Sequence, residues 1–337
     1  MTNELDAIEA LLKSVNKVYG DNSLYFLGKV KPLPIECIPT GSLALDYAIG
    51  GWEKFMGIPM GRITELWGPK DSGKTTLCNH IIASAQKMGK ATFFLDFEHS
   101  FDPFYAQAIG VDIDKLLFGQ YNELEEGWKI VESIINSVPG ALIVIDSIAA
   151  MSPKVELEGE MGDHHPGRQA FLLAQAMRRN MGAVREANVA LVVTNQIRHK
   201  MGKLGWGEKS ETQAGGEALR HALSLQITLW PSSIEKEKGG QIVARKINAT
   251  VAHSKIARPY CRAQYRLEFG RGIDQLPELI EFGVQFGALI QNGAYYYMPG
   301  EEKHFAQGLA SASDYLYKHP SVADGIRATI AKNARKE

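Results

Sequence analysis

Gly68-Pro69-Lys70-Asp71-Ser72-Gly73-Lys74-Thr75 has the form G-x-x-x-x-G-K-[ST], a spacing that suits one chemistry, the wrapping of a phosphate chain by successive backbone N–H groups. Gly68 and Gly73 let the chain curl, and the helix expected to open at Thr75 adds the positive end of its dipole. Lys74 is expected to neutralise the β- and γ-phosphates of ATP. Thr75 offers a hydroxyl oxygen to Mg²⁺, and Thr76 extends the nucleotide-binding set by one residue. Two acids are candidates for the rest of the chemistry. Asp146 closes the apolar run Ala141-Leu142-Ile143-Val144-Ile145 and suits a carboxylate acting on the magnesium shell. An aspartate after such a run is common at sheet edges, so the P-loop upstream is what gives it weight. Glu98 stands two residues beyond Phe93-Phe94-Leu95-Asp96, at the carboxyl end of a strand, where ligands bind in open α/β sheets. It is the candidate group for positioning water; a solvent-facing carboxylate is the alternative, and Asp96 competes for the role.

These residues need a scaffold, and the pattern supplies one. Strand-like runs at Ile63–Trp67, Ala91–Leu95, Ala141–Ile145, Val189–Val193 and Ser224–Leu229 are short and rich in β-branched or large apolar residues, as in strands covered on both faces. Between them, Thr75–Met88, Glu123–Ser137 and Arg168–Glu186 have the length of crossover helices, the first stopping at Gly89. The rhythm predicts a mainly parallel α/β sheet. Tyr265, Leu267 and Phe269 alternate with Arg266 and Glu268, which predicts a half-exposed antiparallel strand. Beyond Gly270-Arg271-Gly272 the texture changes to compact helices, with Phe305, Leu309, Ala312 and Leu316 on one helical face. At the other end Ile8, Leu11, Leu12 and Val15 give an amphipathic helix.

Composition narrows the function classes. Lys plus Arg (37) balances Asp plus Glu (38) in 337 residues, so polyanion binding has to come from local patches. Cys37, Cys78 and Cys261 follow no C-x-x-C spacing, and fit a reducing compartment. The first residues lack an uninterrupted apolar core and no run of about eighteen apolar residues occurs, so a soluble, cytoplasmic protein is expected.

The ordered motifs carry a resemblance. Pro39-Thr40-Gly41-Ser42-Leu43-Ala44-Leu45-Asp46, the P-loop, Asp96-Phe97-Glu98-His99 with Asp102-Pro103, Val144-Ile145-Asp146-Ser147, Glu158-Gly159-Glu160-Met161-Gly162-Asp163 and Asn195-Gln196-Ile197-Arg198 resemble the bacterial RecA recombinases and their phage UvsX-like relatives from about Glu4 to Arg335. The resemblance implies a RecA-type P-loop ATPase core with a mainly parallel twisted sheet over residues 35–269. It implies an N-terminal polymerisation helix and linker over 1–34 and a small α+β C-terminal domain over 270–337. It implies a DNA-dependent ATPase that forms homo-oligomeric helical filaments on single-stranded DNA, takes duplex DNA second, promotes homologous pairing and strand exchange, and works beside single-strand-binding and loader proteins. Glu98 is then the catalytic glutamate, Asp146 the Walker B aspartate, Gln196 the γ-phosphate sensor, and Asp102 and Tyr105 adenine contacts. The DNA-binding loops fall at about 156–167 and 198–216. The second offers Arg198, His199, Lys200, Lys203, Trp206 and Lys209 among glycines, and cations around one aromatic ring suit single strands. Arg178, Gly215 and Gly216 match further DNA contacts, and Arg179 reads as a surface charge.

The departures matter too. Phe171 stands where many relatives carry arginine, the nearest being Arg168. Lysines that would reach the γ-phosphate of the adjacent subunit are matched by His253 and Lys255, so one has become histidine. Residues 226–231 are uncharged and Arg245 and Lys246 are offset from the basic residues that hold a second DNA strand, which weakens the expectation of duplex capture. The chain ends Ala331-Lys332-Asn333-Ala334-Arg335-Lys336-Glu337 without an acidic tail. A ring-forming helicase-like ATPase shares the same core, and a mediator that binds ATP only as a switch is the non-enzymatic alternative; Lys74, Glu98 and Gln196 together argue against the latter.

Overall fold

The computed structural model describes residues 2–334 except 22, 30–34, 161–162, 164–166, 200–210, 214–215 and 238. It divides into two compact units, residues 1–36 and 37–337. The first is built on helix α1 (Thr2–Tyr19). The chain after α1 is pinned back to it by the Asn16 amide, whose Nδ2 donates to the Leu24 carbonyl at 3.0 Å and whose Oδ1 accepts from the Leu24 N–H at 2.9 Å. Ile8 and Leu11 are exposed while Leu12 and Val15 are half-buried.

The second unit opens with β1 (Cys37–Ile38), α2 (Leu43–Ile49) and β2 (Ile58–Pro59), then alternates strands and helices: β3 (Arg62–Gly68), α3 (Lys74–Lys87), β4 (Thr92–Asp96), α4 (Pro103–Ile109), β5 (Leu116–Gln120), α5 (Leu124–Ser137), β6 (Leu142–Asp146), α6 (Lys154–Glu158), α7 (Arg168–Glu186) and β7 (Ala190–His199). It continues through β8 (Glu211–Gln213), α8 (Gly216–Ala222), β9 (Leu225–Lys236), β10 (Ile242–Ser254), β11 (Arg262–Glu268) and β12 (Gly272–Ile273). The main sheet runs β12-β11-β10-β9-β3-β7-β6-β4-β5. From β9 to β5 all pairings are parallel, and β10 to β12 add an antiparallel wing. The five strands read from sequence are all present, as is the alternating antiparallel strand. The central strands read as continuous apolar runs because both faces are covered. Leu66, Val144 and Val192 face one core with Leu77, Ile81 and Ile82 of α3, and Ile63, Ile143, Ile145 and Val193 face another with Trp128 of α5 and Leu173 and Met177 of α7. Each such side chain contributes about 1.5–3 kcal/mol by leaving water.

The antiparallel wing extends past residue 270, since Gly272 and Ile273 pair with Glu268 and Leu267. Beyond it α9 (Gln275–Gln285), a three-stranded antiparallel sheet of β13 (Ile290–Asn292), β14 (Tyr295–Tyr297) and β15 (Ala306–Gln307), α10 (Leu309–Lys318) and α11 (Pro320–Asn333) form a separate core. Phe282, Phe286, Leu289, Leu316, Ile326 and Ile330 fill that core, with Tyr47 of α2 inserted among them. One expectation needs correction. Phe305 is not on the helix with Leu309, Ala312 and Leu316: its N–H bonds the Tyr296 carbonyl at 2.9 Å, and Gly308, with φ of +81°, separates it from α10.

Candidate functional site

β3, β6 and β7 are adjacent and in register, so Gly68 lies opposite Gln196 and Ile145 opposite Val193. Side chains just past these ends therefore share one edge of the sheet. Gly68 is required by close approach, because a Cβ there would lie 2.3 Å from the Leu229 carbonyl oxygen. Gly73 is required by a φ of +83° at the N-terminus of α3. The loop they shape opens into a cavity of about 920 Å³ lined by Lys70, Asp71, Ser72, Gly73, Lys74, Thr75 and Thr76, together with Glu98, Asp102, Tyr105, Asp146 and Gln196. Gly68 and Pro69 lie behind it, their carbonyls accepting from Lys74 Nζ at 3.2 and 2.8 Å.

The Thr75 hydroxyl donates to Asp146 Oδ2 at 2.6 Å, and the Thr194 hydroxyl donates to the other oxygen of the same carboxylate at 2.5 Å. Burial raises the Asp146 pKa, opposed by these two hydrogen bonds. Burial lowers the Lys74 pKa, opposed by the charges of Asp146 and Glu98. A buried lysine and a buried carboxylate beside a half-buried threonine hydroxyl suit a magnesium–triphosphate, since Mg²⁺ prefers hard oxygen ligands and takes few of them from protein. Thr75 and Asp146 are the residues that would hold the ion.

The geometry separates Asp96 from Glu98. Asp96 is 1% exposed. Its oxygens accept from the Glu98 N–H (3.0 Å), the Phe101 N–H (3.2 Å) and Gln120 Nε2 (3.2 Å), so it organises the loop. Glu98 faces the cavity, and its Oε1 accepts from Ser147 Oγ at 2.5 Å and Gln196 Nε2 at 2.7 Å. Asp102 caps α4, taking the N–H groups of Phe104 (2.9 Å) and Tyr105 (3.1 Å). The Tyr105 hydroxyl lies 3.2 Å from Thr76 Oγ1.

Behind the cavity, fully buried Glu65 on β3 accepts from Asn195 Nδ2 on β7 at 2.7 Å and from Gln226 Nε2 on β9 at 2.5 Å. Asn195 Oδ1 in turn takes the Gln196 N–H at 2.9 Å. Burial raises the Glu65 pKa, against these amides and the Arg220 charge.

Other expected residues lie elsewhere. His253, on β10 opposite Gln226, is half-buried and its Nε2 has no partner among the described residues, and Lys255 Nζ donates to the His221 carbonyl at 2.7 Å; neither lines the cavity. Arg178 is exposed on α7, and Arg179 pairs with Glu132 at 3.4 Å. Arg168 stands 5.9 Å over the Phe171 ring, so the two share one surface patch. The second loop is not structureless at its stem. β7 runs on to His199, and Ile197, Arg198 and His199 pair with Gln213, Thr212 and Glu211 of β8, a backbone ladder that loop composition does not announce. Gly216 begins α8. Lys200, Lys203, Trp206, Lys209 and Gly215, and the side chains of Arg198 and His199, lie outside the described residues.

Sequence reasoning missed Ser147, Thr194, Arg245, Leu267 and Phe269. The first two had a signal: Ser147 follows Asp146, and Thr194 precedes Gln196 by two on the neighbouring strand, so it shares its face.

Fold and site together define a P-loop nucleotide-binding protein with a RecA-type sheet. The family model for the RecA N-terminal domain matches residues 6–274 and that for the RecA C-terminal domain residues 277–335. The chain is similar to Protein RecA of a Nitratiruptor species, 40% identical over 331 residues, covering 98% of this chain and 94% of the relative. It is likewise similar to Protein RecA of Colwellia psychrerythraea, 41% identical with 95% and 90% covered. The chain belongs to the RecA family, the ATP- and DNA-binding recombinases of DNA recombination and repair.

Proposed function

We propose that this chain hydrolyses ATP in response to single-stranded DNA, and that it polymerises on that DNA as a helical filament that pairs homologous sequences and exchanges strands. The observation that carries the reading is Glu98. Its carboxylate turns into the phosphate cavity and is oriented on Oε1 by both Ser147 and Gln196, leaving Oε2 for a water molecule. A carboxylate so fixed is a positioned general base. Lys74 and the P-loop N–H groups bind and orient the phosphates. Thr75, and Asp146 through water, would hold Mg²⁺, which when bound would supply charge neutralisation on the phosphate oxygens. Gln196 touches Glu98 through its side chain and lies two residues before Arg198, the start of the second DNA loop, so a change at either end of this segment is felt at the other. Asp102 and Tyr105 are assigned to the adenine. His253 and Lys255 are assigned to the γ-phosphate bound by the adjacent subunit, and Arg178, Arg198, His199, Lys200, Trp206, Gly215 and Gly216 to DNA. We assign residues 1–34 to subunit docking, the chain from 35 through β12 to the ATPase core and the chain from α9 onward to a small accessory domain.

The test is ATP turnover with and without single-stranded DNA, alongside electron microscopy of the same mixtures. DNA-stimulated turnover with helical filaments supports the reading. Turnover by closed hexameric rings would favour a helicase-like machine, and tight ATP binding without turnover a switch.

A further inference from the structure

In the sequence Arg245 is a cation offset from any second-strand DNA contact. In the fold it belongs to the nucleotide cavity. β10 carries it between Ile234 of β9 and Leu267 of β11, and its side chain reaches across to a loop more than 170 positions earlier in sequence, where Nη1 donates to the Asp71 carbonyl at 2.7 Å. Its guanidinium carbon stands 5.6 Å over the Phe269 ring. Both Arg245 and Phe269 line the cavity that holds Lys74 and Tyr105, and among the described residues no acceptor meets the buried Arg245 Nε.

We propose that Arg245 is a nucleotide-binding residue supplied by the antiparallel wing, which latches the P-loop open at Asp71 and brings a second cation to the wall of the triphosphate cavity. Two physical arguments support it. In a trans peptide the C=O and the following N–H point to opposite sides. Drawing the Asp71 carbonyl toward Arg245 therefore turns the Ser72 N–H away from Arg245 and fixes the direction of one donor in a loop whose N–H groups must meet phosphate. Asp71 has a φ of +59°, an uncommon region for a non-glycine residue, so a tether that fixes this peptide plane has something to hold. The guanidinium also has five donors. One serves Asp71, and Phe269 holds the group beside the cavity wall, leaving charge and donors for an anionic ligand.

The proposal rests on the P-loop reading, and the experiment separates the two. Fluorescent ATP and ADP analogues are titrated, without DNA, into the full chain, Arg245→Met, Arg245→Lys and Lys74→Ala, with the nucleotide-free melting temperature of each measured beside them. Lys74→Ala must lose affinity; if it does not, the nucleotide site itself is wrong. Arg245→Met is expected to bind ATP ~10-fold more weakly, as fits a lost charge-assisted hydrogen bond, with a smaller loss for ADP. Arg245→Lys, which keeps the charge and a donor, should recover most of the affinity, and the nucleotide-free melting temperatures should agree within about 2 °C. Parent-like ATP binding by Arg245→Met overturns the proposal. So does an equal loss in Met and Lys variants together with a lowered melting temperature, which would make Arg245 a packing residue.

Discussion

Replacing Glu278 by glutamine is expected to make the protein more resistant to alkaline pH. Glu278, on α9, is 5% exposed and meets the N-terminus of α2, where its oxygens lie 3.0 Å from Ser42 Oγ and one accepts the Ala44 N–H at 3.1 Å. Burial pushes its pKa from 4.5 up to about 8, against the hydrogen bonds from Ala44 and Ser42, and the charge of nearby Asp46 raises it further. Asp46 is itself raised to about 7 by burial, against two hydrogen bonds from Thr40. Tyr265, buried on β11, also senses the Glu278 charge. A carboxyl whose folded pKa is raised contributes stability that is fully present below the unfolded value near 4.5 and is lost as pH rises through about 8. Each pH unit in that window removes about 1.4 kcal/mol, so going from pH 6 to pH 9 removes ~2–3 kcal/mol through Glu278. Glutamine keeps a carbonyl oxygen for Ala44 and an N–H group for Ser42, and it does not ionise. Urea denaturation of the nucleotide-free parent and Glu278→Gln at pH 6, 7, 8 and 9 measures the difference. The stability advantage of Glu278→Gln should widen by ~2–3 kcal/mol between pH 6 and pH 9, with Asp46 leaving a residual slope in both between pH 6 and 7. Parallel profiles would show that Glu278 folds as a carboxylate, and the argument from burial would fail.

Glu98→Gln should cut ATP turnover by ~10²–10⁴-fold while nucleotide and DNA binding persist, since the cradle is untouched; near-parental turnover would remove Glu98 from the base role. Trp206→Ala should weaken single-stranded DNA binding by ~1–3 kcal/mol in a fluorescence-anisotropy titration with DNA-independent ATP affinity unchanged, and an unaltered DNA isotherm would show that the ring stacks on no base.

The parts of the site legible in the sequence are those whose meaning is local. The P-loop, the apolar runs of β3, β4 and β6, and the acids just beyond them declare themselves within a few residues, and the parallel register then brings Lys74, Glu98, Asp146 and Gln196 to one edge. β5 escaped because Leu117 and Phe118 are exposed on an edge strand, without the alternation or unbroken burial that marks a strand. β10 escaped because Arg245-Lys246 interrupts its apolar pattern. Those charges are tolerated because the strand is only partly covered there, with one Arg245 donor taken by the P-loop carbonyl. No local rule reports a partner so distant in sequence.

Gln196 shows how the central strands join these local pieces into one device. Its side chain holds Glu98 at the cavity, while its backbone N–H is held by Asn195, which is held by Glu65, which also holds Gln226. Three strands are thus tied at one buried carboxyl group, and neither amide can shift without leaving Glu65 short of a donor, a cost of about 1–3 kcal/mol. A rigid anchor at Asn195 confines any movement of β7 to the residues after it, Gln196 and the ladder from Ile197 to His199. In the proposed mechanism those are the residues that lead from the catalytic glutamate to DNA, so the buried network makes the strand end, rather than the whole strand, the element that answers to both ligands.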